Sequence, residues 1–262
     1  MAIDQPAGIN RRRFLRDSSV AGAAPLAAAQ VAPGRKPLLI TSGASRLAQA
    51  LASGLKEKYA IRLTERIPVR TEHEFVPCAL DPDAATSAAV RGVEVIVHTA
   101  EPLPEETAQQ QIDLLTRCTY NLLWAAAAEA VPRVVLLSTL ELMTGYPANF
   151  TVGETWRPRP SLQPPVLAKH LCEFTSREFA REGKISVVVL RLGKVVRAGE
   201  VSGQAVDPLW VEERDVVHAV ACALTAKAGP WQVYHIQADS AGARFAVTRA
   251  KSALGYRPQF HW

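Results

Sequence analysis

Between a short apolar run, Leu38 to Thr41, and a helical pattern that puts Leu47, Leu51 and Leu55 on one side, the chain places Ser42, Gly43, Ala44 and Ser45. A tight turn from strand to helix leaves the first-turn N–H groups without acceptors and brings backbone close to an anion, which is chemistry suited to a pyrophosphate. The hydroxyls of Ser42 and Ser45 are further donors, and Arg46 and Leu47 open the helix, the arginine bringing positive charge. Ser42 and Ser45 stand where such a turn favours glycine, because one position wants positive φ and the other close phosphate contact. Ala48, at the third such place, is small enough to let helix and strand pack. The next strand-like run, residues 61–65, ends in Glu65 and is followed by Arg66. An acid there accepts from an adenosine ribose and an arginine suits a 2′-phosphate, so NAD and NADP both stay open, with NAD slightly favoured.

The elements that must position these residues follow from the hydrophobic pattern. Strand-like runs at 38–41, 61–65, 92–100, 132–139, 184–193 and 231–237 are separated by helical patterns, the longest at 107–130 and the next beginning at Pro164. Several strands are continuously apolar, which specifies an α/β fold with a parallel sheet covered on both faces. Residues 145–165 hold five prolines and form a loop between a strand end and a helix, where open sheets place their ligand crevices.

At 262 residues and 48% hydrophobic, the chain can bury a full core as one domain of ordinary size. The net charge is +5, of which the first 29 residues supply +2 through Arg11, Arg12, Arg13 and Arg16 against Asp4 and Asp17. What remains is too weak and scattered for nucleic-acid binding. Cys78, Cys118, Cys172 and Cys222 lie far apart in apolar surroundings and read as buried thiols; no spacing suggests a metal. Arg11 to Arg16, followed by an alanine-rich stretch and Ala27 to Ala29, has the order of an export signal and is too weakly apolar to span a membrane. It resembles the twin-arginine signal family. The resemblance implies recognition by the twin-arginine export machinery, cleavage near Ala29 and a periplasmic or exported folded protein with no stable membrane insertion. The alternative is a basic tail on a cytoplasmic protein. Residues 1–36 are thus read as signal and linker, and 37–262 as one NAD(P)-binding domain.

The order of landmarks from Leu38 to Pro258 resembles the extended short-chain dehydrogenase/reductase family, especially its NAD-dependent epimerase/dehydratase and uronate-dehydrogenase-like branches. The landmarks are His98-Thr99-Ala100, Asn121-Leu122-Leu123, Ser138-Thr139, the strand Leu190 to Val195, the segment Trp210 to Val216 and Leu254 to Pro258. The resemblance implies a Rossmann-type doubly wound parallel sheet, with His98, Thr99 and Ala100 beside the cofactor. It also implies a tyrosine acid/base with a lysine four residues later that holds the nicotinamide ribose. Lys169 occupies the lysine place, but Pro165 stands where the tyrosine is expected and carries no proton to move. Ser138 and Thr139 are left to align a substrate oxygen, and Tyr146 is the tyrosine of the intervening loop that is free to reach across. Glu141 is a further candidate base, and a surface pair of Lys169 with Glu173 is the structural alternative for the lysine.

Only about a dozen residues separate the Leu190 to Val195 strand from Trp210, a reduced C-terminal substrate region. The resemblance then favours a small sugar-like substrate over a nucleotide sugar. These features together predict an NAD(P)-binding, epimerase/dehydratase-like protein whose catalysis is impaired or atypical and whose nucleotide binding is weak or vestigial. One alternative is an active oxidoreductase on a small sugar or uronate that uses Lys169, Thr139 and Tyr146. The other is a non-catalytic structural or interaction protein, a homodimer through the helices at 107–130 and 165–182.

Overall fold

The computed structural model describes residues 34–227, 229–239 and 243–261. The arginine run and the expected cleavage point near Ala29 lie outside the described residues. From Lys36 the chain runs β1 (Lys36–Ile40), α1 (Arg46–Leu55), β2 (Tyr59–Glu65), β3 (Glu74–Pro77), α2 (Ala84–Val90) and β4 (Val95–His98). It continues through α3 (Ala108–Asp113), α4 (Thr119–Ala128), β5 (Arg133–Thr139), α5 (Pro164–Arg181) and β6 (Ser186–Leu192). The last elements are β7 (Lys194–Val196), β8 (Trp210–Glu212), α6 (Glu213–Thr225) and β9 (Trp231–Ile236).

Seven strands form one parallel sheet in the order β3-β2-β1-β4-β5-β6-β9, the Rossmann-type doubly wound arrangement. Alternate residues of the central strands feed two apolar layers. Leu38, Ile40, Val135 and Leu190 pack under α1 and α6, while Leu39, Ile96, Leu136 and Val189 pack under the helices of the opposite face. Helix α1 belongs to the first layer because Leu47, Ala48, Leu51, Ala52 and Leu55 form one buried stripe. Strands β7 and β8 pair separately, parallel, and bracket the short loop read as the substrate region.

Three local features depart from the sequence reading. Strand β3 pairs only with β2 and ends in Pro77, so as an edge strand it lacks the length and apolar continuity of a recognisable run. Helix α2 is capped by Asp83 and built from small residues that leave little periodic signal. The helix expected over 107–130 begins with a Thr107–Gln110 capping box but widens into a π turn at Leu114–Cys118 before continuing as α4. No helix among the described residues is long and apolar enough to cross a membrane. Cys78, Cys118 and Cys172 are buried and Cys222 partly so, all as free thiols, and burial pushes Cys118 and Cys172 up to about 11.

Candidate active site

The strand order reverses between β1 and β4, so their connections diverge and open a crevice beyond the carboxyl ends of these strands. Three non-glycine residues at this edge take left-handed backbone: Ser42 after β1 (φ 51°), Leu80 after β3 (φ 57°) and Ala100 after β4 (φ 50°). Such conformations cost on the order of 1–3 kcal/mol each and persist where the surroundings fix them. The Ser42 Oγ accepts from the Glu101 N–H at 3.1 Å, and the Asn121 side chain donates to the Leu80 carbonyl at 2.8 Å. Ser42 therefore takes the backbone conformation expected of glycine and ties the β1 turn to the loop after β4. Gly43 has a separate reason to lack a side chain, since a Cβ would stand 3.2 Å from the Leu63 Cβ and 3.4 Å from the Thr64 carbonyl.

Ser45 is the N-cap of α1 and accepts from the Ala48 N–H at 3.2 Å. That leaves Arg46 and Leu47 as first-turn donors with no intrahelical acceptor. These residues line the same cavity as Glu101, Ser138, Thr139 and Lys169. The guanidinium of Arg46 is already engaged, with Glu200 at 2.9 Å and Glu213 at 3.1 Å, so its charge joins α1 to the loop after β7 and to α6. A narrower cavity beside it is lined by Ser42, Thr64, Glu65, Ala79, Leu80 and Glu106. Glu65 accepts from the Arg66 N–H at 2.8 Å, and the Arg66 guanidinium pairs with the buried Glu106 carboxylate, which in turn accepts from the Leu103 N–H at 3.0 Å. Asp81 pairs with Arg117 at 2.7 Å, leaving Ala79 at the cavity wall.

Beneath the crevice lies a frame of buried polar groups. His98 bridges Thr41 (Nδ1 to Oγ1, 2.8 Å) and Thr119 (Nε2 to Oγ1, 3.0 Å), and the Thr99 hydroxyl donates to the Thr41 carbonyl at 2.7 Å. With Ala100 these residues are fully enclosed, so the structure places His98 and Thr99 in the supporting frame rather than on the crevice wall. Lys169, from α5, donates to the carbonyls of Thr99 at 2.8 Å and Leu137 at 2.9 Å and lies 3.8 Å from a Glu101 oxygen. The Ser138 Oγ is buried with no partner, and the Thr139 Oγ1 accepts from the Glu141 N–H at 3.2 Å.

Ser138, Arg191 and His235 stand in register on β5, β6 and β9. Arg191 makes two bonds to Glu173, at 2.9 and 2.7 Å, with both side chains almost wholly buried. The expected surface pair of Lys169 with Glu173 is thus corrected: an arginine inside an apolar strand must be matched by a carboxylate, and Glu173 is the one α5 supplies. Tyr146 is corrected as well. Its hydroxyl donates to the Arg157 carbonyl at 2.6 Å and its ring packs against Trp156 and under the Arg159 guanidinium, so it closes its own loop and is not among the residues lining the crevice. Glu141 acts on the charge of Lys194 and lies outside the crevice lining.

Burial, followed by the charge of Lys169, lowers His98 from 6.5 to about 3; burial, followed by Arg191 and Arg249, does the same for His235. Both rings are neutral in the fold at neutral pH. The unfolded chain takes up protons on them below about 6.5 while the fold resists to about 3, so stability falls as pH falls through that window. Each histidine contributes roughly 1.4 kcal/mol per pH unit there. Urea denaturation at a series of pH values is expected to show this slope, reduced by one histidine's share in His235→Phe.

Residues 39–207 match the family described as "NAD dependent epimerase/dehydratase family", which is more than half of the chain. The chain belongs to this family. An NAD-dependent glucose-6-phosphate dehydrogenase of Haloferax volcanii is 27% identical over 251 residues, covering 86% of this chain and 93% of that protein. Uronate dehydrogenase of Agrobacterium tumefaciens, solved as a tyrosine-to-alanine variant complexed with NAD, superposes with a TM-score of 0.75 at 23% identity, covering 86% of this chain and 85% of that one. A short-chain dehydrogenase/reductase superfamily protein of the same organism with bound NAD gives a TM-score of 0.74 at 19% identity, covering 86% of this chain and 93% of that one. The expectation of impaired catalysis is overturned by these relatives, which are named as dehydrogenases and match this epimerase/dehydratase-family chain over most of its length.

Within the family fold, Pro165 occupies the second position of α5, one turn before Lys169 and directly after Pro164, which follows the Gln163 N-cap. Its ring starts the helix and contributes no hydroxyl. Two functional features escaped the sequence reading. Glu101 carried a signal, an acid placed directly after a strand end, whereas the Arg66–Glu106 pair joins residues 40 positions apart and left none.

Proposed function

We propose that the chain is an active NAD-dependent oxidoreductase acting on a small sugar or uronate. The observation that carries the reading is the crevice beyond β1 and β4, where the open amides of Arg46 and Leu47 share one cavity with Lys169, Ser138 and Thr139. These residues fit a dinucleotide: helix-terminal N–H groups suit its pyrophosphate and Glu65 suits an adenosine ribose. The partnerless Ser138 hydroxyl and the Lys169 ammonium stand at the other end. The bound dinucleotide supplies a hydride acceptor. Ser138 and Thr139 orient the substrate oxygen, and Lys169 ties the Thr99 and Leu137 carbonyls so that the carboxyl ends of β4 and β5 keep their spacing around it.

NAD is favoured over NADP because Arg66 is committed to Glu106, and a ribose 2′-phosphate would have to break that pair while facing Glu65. The small substrate follows from the short connection between β7 and β8, which supplies no cap for a nucleotide sugar. Calorimetric titration should give at least about tenfold tighter binding of NAD than of NADP. NADH should form with D-glucuronate, D-galacturonate or D-glucose 6-phosphate. Absence of turnover with all three sugars sinks the reading, whether or not NAD binds.

Helices α4 and α5 present Tyr120, Trp124 and Phe174 to solvent at 47%, 63% and 60% exposure. Exposed large rings on these two neighbouring helices point to a second copy of the chain as their cover. Light scattering is expected to give a dimer mass for the wild type and a monomer mass for Trp124→Glu. Export remains a proposal that rests on the twin-arginine-like run, as does the boundary between residues 36 and 37.

A further inference from the structure

We propose that Glu101 is the proton acceptor of this enzyme, standing in for the tyrosine that Pro165 replaces. The inference rests on the oxidoreductase reading and deepens it. Oxidation of an alcohol needs a base that can take the hydroxyl proton, so the question is which group lining the crevice has a free lone pair and a place for a charge. Three titratable residues line it among those described: Arg46, Lys169 and Glu101. Arg46 keeps its protons at any working pH and is held by Glu200 and Glu213. Lys169 is oriented as a donor, with its hydrogens directed at the Thr99 and Leu137 carbonyls. Ser138 and Thr139 bind an oxygen but hold a proton of their own, and Tyr146 is occupied at Arg157. Glu101 remains.

Its placement suits the task. The backbone of Glu101 is pinned by the Ser42 hydroxyl at 3.1 Å, directly after the left-handed Ala100, so the side chain leaves a fixed point at the crevice edge. One carboxylate oxygen stands 3.8 Å from the Lys169 ammonium, so the carboxylate lies at the same end of the crevice as the lysine. The side chain is 40% exposed, so a proton taken up has a route to water. In the step, the substrate O–H bond breaks and its proton goes to a Glu101 oxygen. The carbinol C–H bond breaks with its electron pair, and the hydride passes to oxidised NAD. The alcohol becomes a carbonyl, NAD is reduced, and Glu101 then releases the proton to solvent.

The test compares wild type, Glu101→Gln and Glu101→Gln/Pro165→Tyr with NAD and the three sugars named above, measuring NAD affinity by calorimetry as well as turnover. Glu101→Gln is expected to lose at least about 100-fold in kcat while NAD affinity stays within about threefold, and the acid limb of the kcat profile is expected to vanish. Tyrosine at 165, one helical turn before Lys169, should restore at least about tenfold of that loss. Should Glu101→Gln not fold, Glu101→Asp keeps the charge and moves it by one methylene; kcat should fall more than about tenfold at unchanged NAD affinity. Turnover of either single variant within about threefold of wild type overturns the assignment, and so does a loss of NAD binding that accounts for the whole effect. A wild type that binds NAD but reduces none with any of the three sugars overturns the oxidoreductase reading, and this inference with it.

Discussion

Arg191→Met is expected to lower the stability of the fold by about 3–5 kcal/mol, because it leaves the Glu173 carboxylate buried without its counter-charge. Both side chains are close to fully enclosed, and the guanidinium makes two bonds to the carboxylate at 2.9 and 2.7 Å and a third contact to the Met143 sulfur at 3.2 Å. Water cannot replace the lost donor without opening the α5 face of the sheet. A loss of that size is a large part of the roughly 5–15 kcal/mol that holds a domain folded. The double variant Arg191→Met/Glu173→Leu removes both charges and should recover most of it, since an apolar pair of similar volume avoids the desolvation of two ions. Urea unfolding of the two single variants and the double variant gives the coupling directly. A small effect of Arg191→Met alone would show that water reaches this layer.

Lys169→Met should reduce turnover by on the order of 10²–10³ while leaving a folded protein, an effect in the range of a lost positioned group at a reacting centre. The ammonium joins the Thr99 carbonyl just after β4 to the Leu137 carbonyl of β5, and it lies at the crevice beside Glu101. Methionine keeps the stem packed but leaves two carbonyls without their donor, which costs about 1–3 kcal/mol. Circular dichroism and denaturation separate that structural part from the kinetic one. A variant as stable as wild type and equally active would remove Lys169 from the site.

The sheet was legible because its strands carry continuous apolar, β-branched runs bounded by helical periodicity, as in Val187 to Leu190. Strand β3 was not, since an edge strand buries half as much and needs no such run. The turn at Ser42 was read as a difficulty for nucleotide binding from residue type alone; the structure shows that the strain is borne, because the serine hydroxyl gains the Glu101 amide as a donor. Lys169 was recognisable from the family resemblance, yet its partners are the Thr99 carbonyl just after β4 and the Leu137 carbonyl of β5, which no spacing along one helix can reveal. Arg191 was open to prediction: an arginine between leucines in a core strand requires a buried acid, and Glu173 was the acid on the facing helix. Tyr146 misled because a tyrosine beside a glycine in a proline-rich loop has the reach to enter a crevice, and sequence does not show that the Arg157 carbonyl claims its hydroxyl first.

The most direct test of hydride transfer by this chain follows the hydrogen itself. Wild-type protein is incubated with NAD and with D-glucuronate, D-galacturonate or D-glucose 6-phosphate bearing deuterium on every carbinol carbon, and the nicotinamide product is examined by mass spectrometry. An NAD-dependent oxidoreductase gives reduced dinucleotide carrying one deuterium, in amount equal to the oxidised sugar. Recovery of unlabelled, oxidised NAD with every sugar, or return of the label to the sugar with no net reduction, would contradict the account.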